Sequence, residues 1–260
     1  MKQTLIISYY QNIPFLQLIL ESIQQQSFRD FEVIIAEDDE SEDLPIYLKT
    51  QAFSFSVRAV SHSNIGFRKN KIMNDAVSIS KGEQLIFIDM DCIIHKQFLS
   101  QYARNLKPGY FGCGRRGMLS STYTVQLLKN GLRNGIGILK MLLTGCKRVD
   151  DALYMPFYNS KKERRLLGSN WGILKSDFLV VNGYDEDYQS PSVGEDVDIE
   201  WRLKKAGLQA MDMKYEAVQY HLDHPFHYNR ERVLLNMEMK VKKELGGQFF
   251  CKNGINKNPS

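Results

Sequence analysis

The sequence predicts an α/β fold built on a mainly parallel sheet, and three observations carry that expectation. Short apolar runs rich in β-formers recur along the first third of the chain, each too short to be a helix. Between them lie stretches with apolar residues at helical spacing, so strands and helices alternate as right-handed βαβ units require. One run, Leu85-Ile86-Phe87-Ile88, closes on Asp89-Met90-Asp91. That places two carboxylates at the carboxyl end of a buried strand, where open α/β sheets bind their ligands.

Residues 4–8 open the chain as a strand. Phe15, Leu16, Ile19, Leu20 and Ile23 mark a helix over 14–25, with Pro14 suited to its first turn. A second strand over 31–36 runs into Glu37-Asp38-Asp39-Glu40-Ser41-Glu42-Asp43, too acidic to be buried unless it binds something. A short strand over 56–60 and a helix over 67–80, with Ile72, Met73, Ala76 and Ile79 on one face, lead to the Asp-bearing strand. In an extended chain residues two apart point the same way, so Asp89 and Asp91 are expected to share the crevice. Two hard oxygen ligands there suit Mg²⁺ or Mn²⁺ holding a diphosphate. A lone D-x-D is also an ordinary solvated turn, and its weight here comes from its neighbours. The first strand is followed by Tyr9-Tyr10-Gln11-Asn12 and not by G-x-G-x-x-G. Phosphates would therefore find no glycine-rich backbone cradle and would depend on a metal.

Further along, Gly194-Glu195-Asp196 precedes Val197-Asp198-Ile199-Glu200-Trp201, which reads as carboxylates opening a helix. Such a position keeps them ionised, through the helix dipole and free N–H groups. A last strand over 217–220 is followed by His221 and His224, and a neutral imidazole from this region would complete a Mn²⁺ site. Residues 230–245 then read as an amphipathic helix with Leu234, Met237, Val241 and Leu245 along one face, and 246–260 as a loose polar tail.

Length and composition are those of one soluble domain, with 260 residues, 43% hydrophobic and 25% charged. The chain carries no long apolar span and begins directly with a strand, so it is expected to be cytoplasmic. Four scattered cysteines form no C-x-x-C pair and are expected to be free thiols. Nine Lys or Arg against three Asp or Glu over 126–168 give that stretch a net +6, leaving −2 for the rest of a chain whose total is +4. The charge is local, which argues against a nucleic-acid-coating surface and for one patch facing an anionic membrane or phosphorylated acceptor. The same segment interleaves Leu127, Leu128, Leu132, Leu139, Leu142 and Leu143 with Lys129, Arg133, Lys140, Lys147 and Arg148, and is read as basic-sided helices.

The series Ile6-Ile7-Ser8-Tyr9-Tyr10, Leu20-Glu21-Ser22-Ile23, Val33-Ile34-Ile35-Ala36-Glu37-Asp38-Asp39 and Phe87-Ile88-Asp89-Met90-Asp91 resembles the family 2 glycosyltransferases over about 3–105. Gly168-Ser169-Asn170-Trp171-Gly172, Asn182-Gly183-Tyr184-Asp185 and Gly194-Glu195-Asp196-Val197-Asp198 resemble the C-terminal region of galactosyltransferases over about 168–225. The resemblance implies a GT-A fold and an inverting, metal-dependent enzyme that moves a sugar, galactose or N-acetylgalactosamine by preference, from a UDP-sugar to a saccharide or lipid-linked glycan. It implies Tyr9, Asp38 and Asp39 at the nucleoside and Arg68, with Lys71 second, at the diphosphate. Asp89, Met90 and Asp91 would also meet the donor. The metal ligands would be Asp89, Asp91 and His221, with His224 and His227 behind. Asp196 would be the base, beside Glu195, and Asn170, Trp171, Gly194 and Glu195 would meet the acceptor. Glu40 stands where the family often has Gly. The implied organisation is one domain over 1–227, with a nucleotide-sugar part (1–105), a helical basic insertion (110–167) and an acceptor part (168–227), then a helix and tail (228–260). The opposing class is an inactive GT-A-like module that only binds saccharide or a partner.

Overall fold

The computed structural model describes residues 1–133, 135–158, 162–191, 193–194, 196–225 and 230–257. The chain opens with β1 (Gln3–Tyr9), α1 (Ile13–Gln24), β2 (Phe31–Glu37), α2 (Asp43–Thr50), β3 (Ser56–Ser61), α3 (Lys69–Ile79) and β4 (Gln84–Asp89). Then come β5 (Cys92–Ile94), α4 (Phe98–Asn105), β6 (Tyr110–Cys113), β7 (Arg115–Met118), α5 (Ser121–Asn130) and α6 (Ile138–Leu143). A 3₁₀ turn (Val149–Ala152), β8 (Asn170–Leu174), α7 (Lys175–Val180), α8 (Val197–Lys205), β9 (Gln209–Asp212), β10 (Val218–His221) and α9 (Arg230–Gly246) complete it.

The main sheet has the order β3-β2-β1-β4-β8-β6-β9. Its first four strands are parallel, and β8 runs antiparallel to both β4 and β6. Burial of β1 explains the apolar run: Leu5 and Ile7 join α1's Leu16, Ile19 and Ile23 on one face, while Ile6 joins α3's Ile72, Met73 and Ala76 on the other. Helix α1 starts where expected, because Asn12 accepts the Phe15 N–H at 3.1 Å and Pro14 needs no donor in the first turn.

Two expectations need correction. The segment 110–167 is not wholly a helical insertion, since β6 lies inside the main sheet and β7 in a second one. Facing glycines make this possible: a Cβ on Gly112 of β6 would come within 2.4 Å of Met213 Sδ, and one on Gly172, opposite it in β8, within 2.9 Å of the Tyr102 ring. The last strand, β10, sits between β5 and β7 in a three-stranded sheet. The tail is not loose over its described residues. Asn182 Nδ2 donates to the carbonyls of Cys251 (2.8 Å) and Asn256 (2.9 Å), and Cys251 is buried. The acidic stretch after β2 also holds a helix, α2, that the charge run concealed.

Candidate active site

The parallel register of β1, β2 and β4 aligns Tyr9 with Glu37 and Ser8 with Asp89, so their carboxyl ends form one edge. A cavity of about 390 Å³ opens there, lined by Ser8, Tyr10, Asp38, Lys69, Asp89 and Asp91 among others. Asp38 accepts from His62 Nε2 at 2.7 Å and from the Arg68 N–H at 2.9 Å. Asp39 accepts from Gln11 Nε2 and, at 2.8 Å, from the Glu40 N–H, and these bonds lower its pKa. Tyr9 lines the cavity wall, but its side chain belongs to the core, and burial pushes its hydroxyl up to about 12. Its neighbour Tyr10 stays exposed on the rim, its hydroxyl 3.4 Å from Asn64 Nδ2.

The two carboxylates of Asp89-Met90-Asp91 part company. Strand β4 ends at Asp89 and the chain turns at Met90 and Asp91, so the same-side geometry of an extended chain does not apply. Asp89 Oδ1 accepts from Ser8 Oγ at 2.8 Å and pairs with Lys69 Nζ at 2.9 Å. Asp91 turns the other way, with Oδ2 2.9 Å from His224 Nε2 and 3.2 Å from His221 Nε2. The second sheet makes this meeting possible: β10 pairs antiparallel with β5, setting His221 opposite Cys92, and the Leu222 N–H donates to the Asp91 carbonyl at 2.8 Å. Burial opposes ionisation of Asp91, yet the bonds from His221 and His224 outweigh it and hold its carboxyl well below the usual range. The bond to Asp91 in turn raises His224 to about 9.

Asp91, His221 and His224 offer ligand atoms that all lie within 4.8 Å of one another, and they form the one such group among the described residues. A divalent cation held at roughly 2.1 Å by ligands at right angles spaces them about 3 Å apart, close to the 2.9 and 3.2 Å seen from Asp91 to the two imidazoles. One carboxylate and two imidazoles therefore fit a divalent metal, with Asp89 outside the group and His224 inside it. His227 lies outside the described residues.

On the cationic side, Lys69 lines the cavity. Lys71 pairs with Asp75 at 2.5 Å along its own helix, and Arg68 meets Asp38 through its backbone. Lys69 is the member that lines the cavity, whereas the sequence put Arg68 first and Lys71 second and passed over Lys69. Nothing in it marked His62, an isolated histidine after β3.

The second half of the site rests on the loop before α8. Asn70, next to Lys69, donates through Nδ2 to the carbonyls of Asp185 (2.8 Å) and Gly194 (3.2 Å), tying that loop to α3. Asp196 is the N-cap of α8 and accepts the Val197 N–H at 2.7 Å. Val193, a β-branched residue, is held at φ 65°, a strained conformation of the kind found beside working groups. Gly194 is required, because a Cβ would meet Tyr188 at 2.3 Å, and Glu195 lies outside the described residues. The acceptor contacts expected of Asn170 and Trp171 do not survive their burial. Asn170 accepts from Tyr102 and donates to the Arg115 and Ala217 carbonyls, while Trp171 stacks on Phe87 at 4.6 Å. Both brace the sheet beneath the cleft.

In fold the chain resembles S. aureus TarS in complex with UDP (TM-score 0.64, 17% identity, covering 94% of this chain and 66% of that one). It also resembles the mannosyltransferase PcManGT from Pyrobaculum calidifontis with GDP-Man and Mn²⁺ (0.62, 16%, 94% and 64%) and GalNAc-T7 with UDP, GalNAc and Mn²⁺ (0.62, 14%, 93% and 48%). The chain spans 40% of a longer TarS structure, so it matches only part of these proteins' length. A sequence comparison with curated proteins returned no match. The model of the family described as "Glycosyl transferase family 2" matches residues 4–167, more than half the chain, and runs through the middle segment that carries no recognisable motif. With that match and a GT-A architecture, the chain belongs to glycosyl transferase family 2.

Proposed function

We propose that the chain transfers a sugar from a UDP-sugar to a saccharide hydroxyl with inversion at the anomeric carbon. The observation that carries this reading is the meeting of Asp91, His221 and His224 at the cavity edge that also holds Asp38, Lys69 and Asp89. Asp38, steadied by His62 and the Arg68 N–H, stands at the end of the cleft suited to the base and ribose. Lys69 and the amino end of α3 favour the diphosphate, since both present positive charge. A divalent metal bound by Asp91, His221 and His224 would neutralise charge on the departing nucleotide. Two imidazoles beside one carboxylate suit Mn²⁺ better than Mg²⁺, which prefers oxygen ligands.

Asp196, at the amino end of α8, accepts the acceptor hydroxyl's proton as the oxygen attacks the anomeric carbon. Galactose or N-acetylgalactosamine is the sugar favoured by the resemblance of residues 168–225. The acceptor is a growing cell-surface glycan. Titration of UDP into the protein with Mn²⁺, and again with EDTA, tests the donor site. A metal-dependent gain supports it and identical isotherms overturn it. A hydrolysis screen over UDP-sugars then reads the sugar.

A further inference from the structure

The corner formed by α5 and α6 stands apart from the cleft. Helix α6 is amphipathic in the wrong sense for a helix that only covers a core. Met141 points inward and is fully buried, while Leu139, Leu142 and Leu143 are 71%, 60% and 79% exposed. At helical spacing these three leucines share one face, with Lys140 at its edge. Beside them a polar pocket of about 390 Å³ is lined by Lys129, Arg133, Lys140, Gln126 and Asn130, and no carboxylate lines it among the described residues. Lys140 Nζ is held 4.7 Å from the Tyr123 ring centroid.

The segment's acids do not cancel this charge. Asp150 and Asp151 are taken up by Lys214, at 2.6 and 3.0 Å, and Glu163 by Lys204 at 2.8 Å. Glu21, the carboxylate nearest the turn after α5, accepts the Leu132 N–H at 2.8 Å. Lys129, Arg133, Lys140, Lys147 and Arg148 have no carboxylate partner among the described residues, and all five are exposed.

We infer that the α5–α6 corner docks the protein on an anionic phospholipid bilayer, with Leu139, Leu142 and Leu143 entering the headgroup boundary and the Lys129–Arg133–Lys140 pocket taking a lipid phosphate. Outward leucines flanked by unpaired cations are what such a surface recognises: apolar area gives insertion, and each cation near the surface adds attraction that salt weakens. An ionic partner alone would leave the leucines unexplained. No helix among the described residues is long and apolar enough to cross a membrane, so this is attachment at the surface. The corner is tied to the cleft, because the Asp223 N–H, next to His224, donates to Thr124 Oγ1 of α5 at 2.8 Å. Docking here sets the cleft close to an acceptor carried on lipid. The inference does not depend on which sugar is moved or on the metal.

The test is flotation of the whole protein with phosphatidylcholine vesicles and with vesicles containing phosphatidylglycerol, at low and high salt. Binding is expected to the anionic vesicles only and to fall with salt. Lys129→Glu with Arg133→Glu should weaken it about tenfold or more, and Leu139→Ser with Leu142→Ser and Leu143→Ser by a similar factor. UDP affinity should be unchanged in both variants, which also reports that they fold. In a separate variant, Leu142→Trp, tryptophan emission should shift to the blue with anionic vesicles. Equal binding to neutral vesicles, no binding to either, loss with the charge changes but not the leucine changes, or an unshifted Leu142→Trp emission would each overturn it.

Discussion

Replacing His224 by Ala isolates the least expected member of the cluster. Its ring makes four described contacts: Asp91 Oδ2 at 2.9 Å, the Pro225 carbonyl at 2.9 Å, an edge-on approach to Phe15 at 6.3 Å and the tilted His221 ring at 5.1 Å. The side chain is 31% exposed, so truncation opens no core cavity. Loss of this half-open pair should cost no more than about 1 kcal/mol of stability and shift the melting temperature by about 2–4 °C. Metal binding should respond far more. Removing a group that merely supports a metal ligand costs about 10- to 100-fold in affinity, so removing a ligand should cost at least about 100-fold, or roughly 2.7 kcal/mol. The assay is calorimetric titration of Mn²⁺ in the presence of UDP, with a thermal melt on the same sample. His221→Ala should lose as much Mn²⁺ affinity but also some stability, because His221 is buried. Asp89→Asn should leave Mn²⁺ binding within about threefold, since Asp89 is committed to Ser8 and Lys69. If His224→Ala binds Mn²⁺ normally while Asp89→Asn does not, the carboxylates have been assigned the wrong way round.

Asp196→Asn keeps a capping side chain but cannot take a proton, so turnover should fall roughly 100-fold or more while UDP affinity barely moves; paired calorimetry and initial rates separate the two. Asn170→Ala strips the buried Tyr102 hydroxyl of its acceptor and the Arg115 and Ala217 carbonyls of their donor. Unsatisfied buried groups cost about 1–3 kcal/mol each, so urea unfolding should register a loss of at least about 3 kcal/mol, whatever the acceptor. Gly254→Ala would set a Cβ 1.9 Å from the Asn182 carbonyl and should lift the tail away. The buried Cys251 thiol should then become reactive to a thiol reagent under native conditions, whereas in the parent chain it should stay protected.

What could be read from the sequence and what could not divide along a physical line. Strands β1, β2 and β4 are covered on both faces, so they must be unbroken apolar runs, and α1 and α3 must carry one apolar face each. Local pattern is enough to find such elements. Strands β5 and β7 are three or four residues long and pair across distant parts of the chain, so no local pattern announces them, and β10, legible as a strand, gives no local sign of its partners. The site inherits both kinds of element. Asp91 and His221 could be proposed from residue type and place, but the contribution of His224 depends on where β10 ends and the chain bends. Asn170 shows the opposite error. The resemblance sets it at the acceptor, whereas its partners are the Tyr102 hydroxyl and two backbone carbonyls that a buried sheet edge must satisfy.

The parting of Asp89 and Asp91 turns on one residue of strand length. Had β4 continued through Asp91, both side chains would have faced the same side, and Asp91 would have been carried away from His221 and His224. Ending the strand at Asp89 gives each carboxylate one task. The first orients the lysine at the edge of the cavity, and the second, carried round the turn, meets two histidines that the second sheet delivers from the far end of the chain. A D-x-D in this fold is therefore better read by where its strand stops than by its spacing. The pairing of β5 with β10 is what brings His221 and His224 to Asp91.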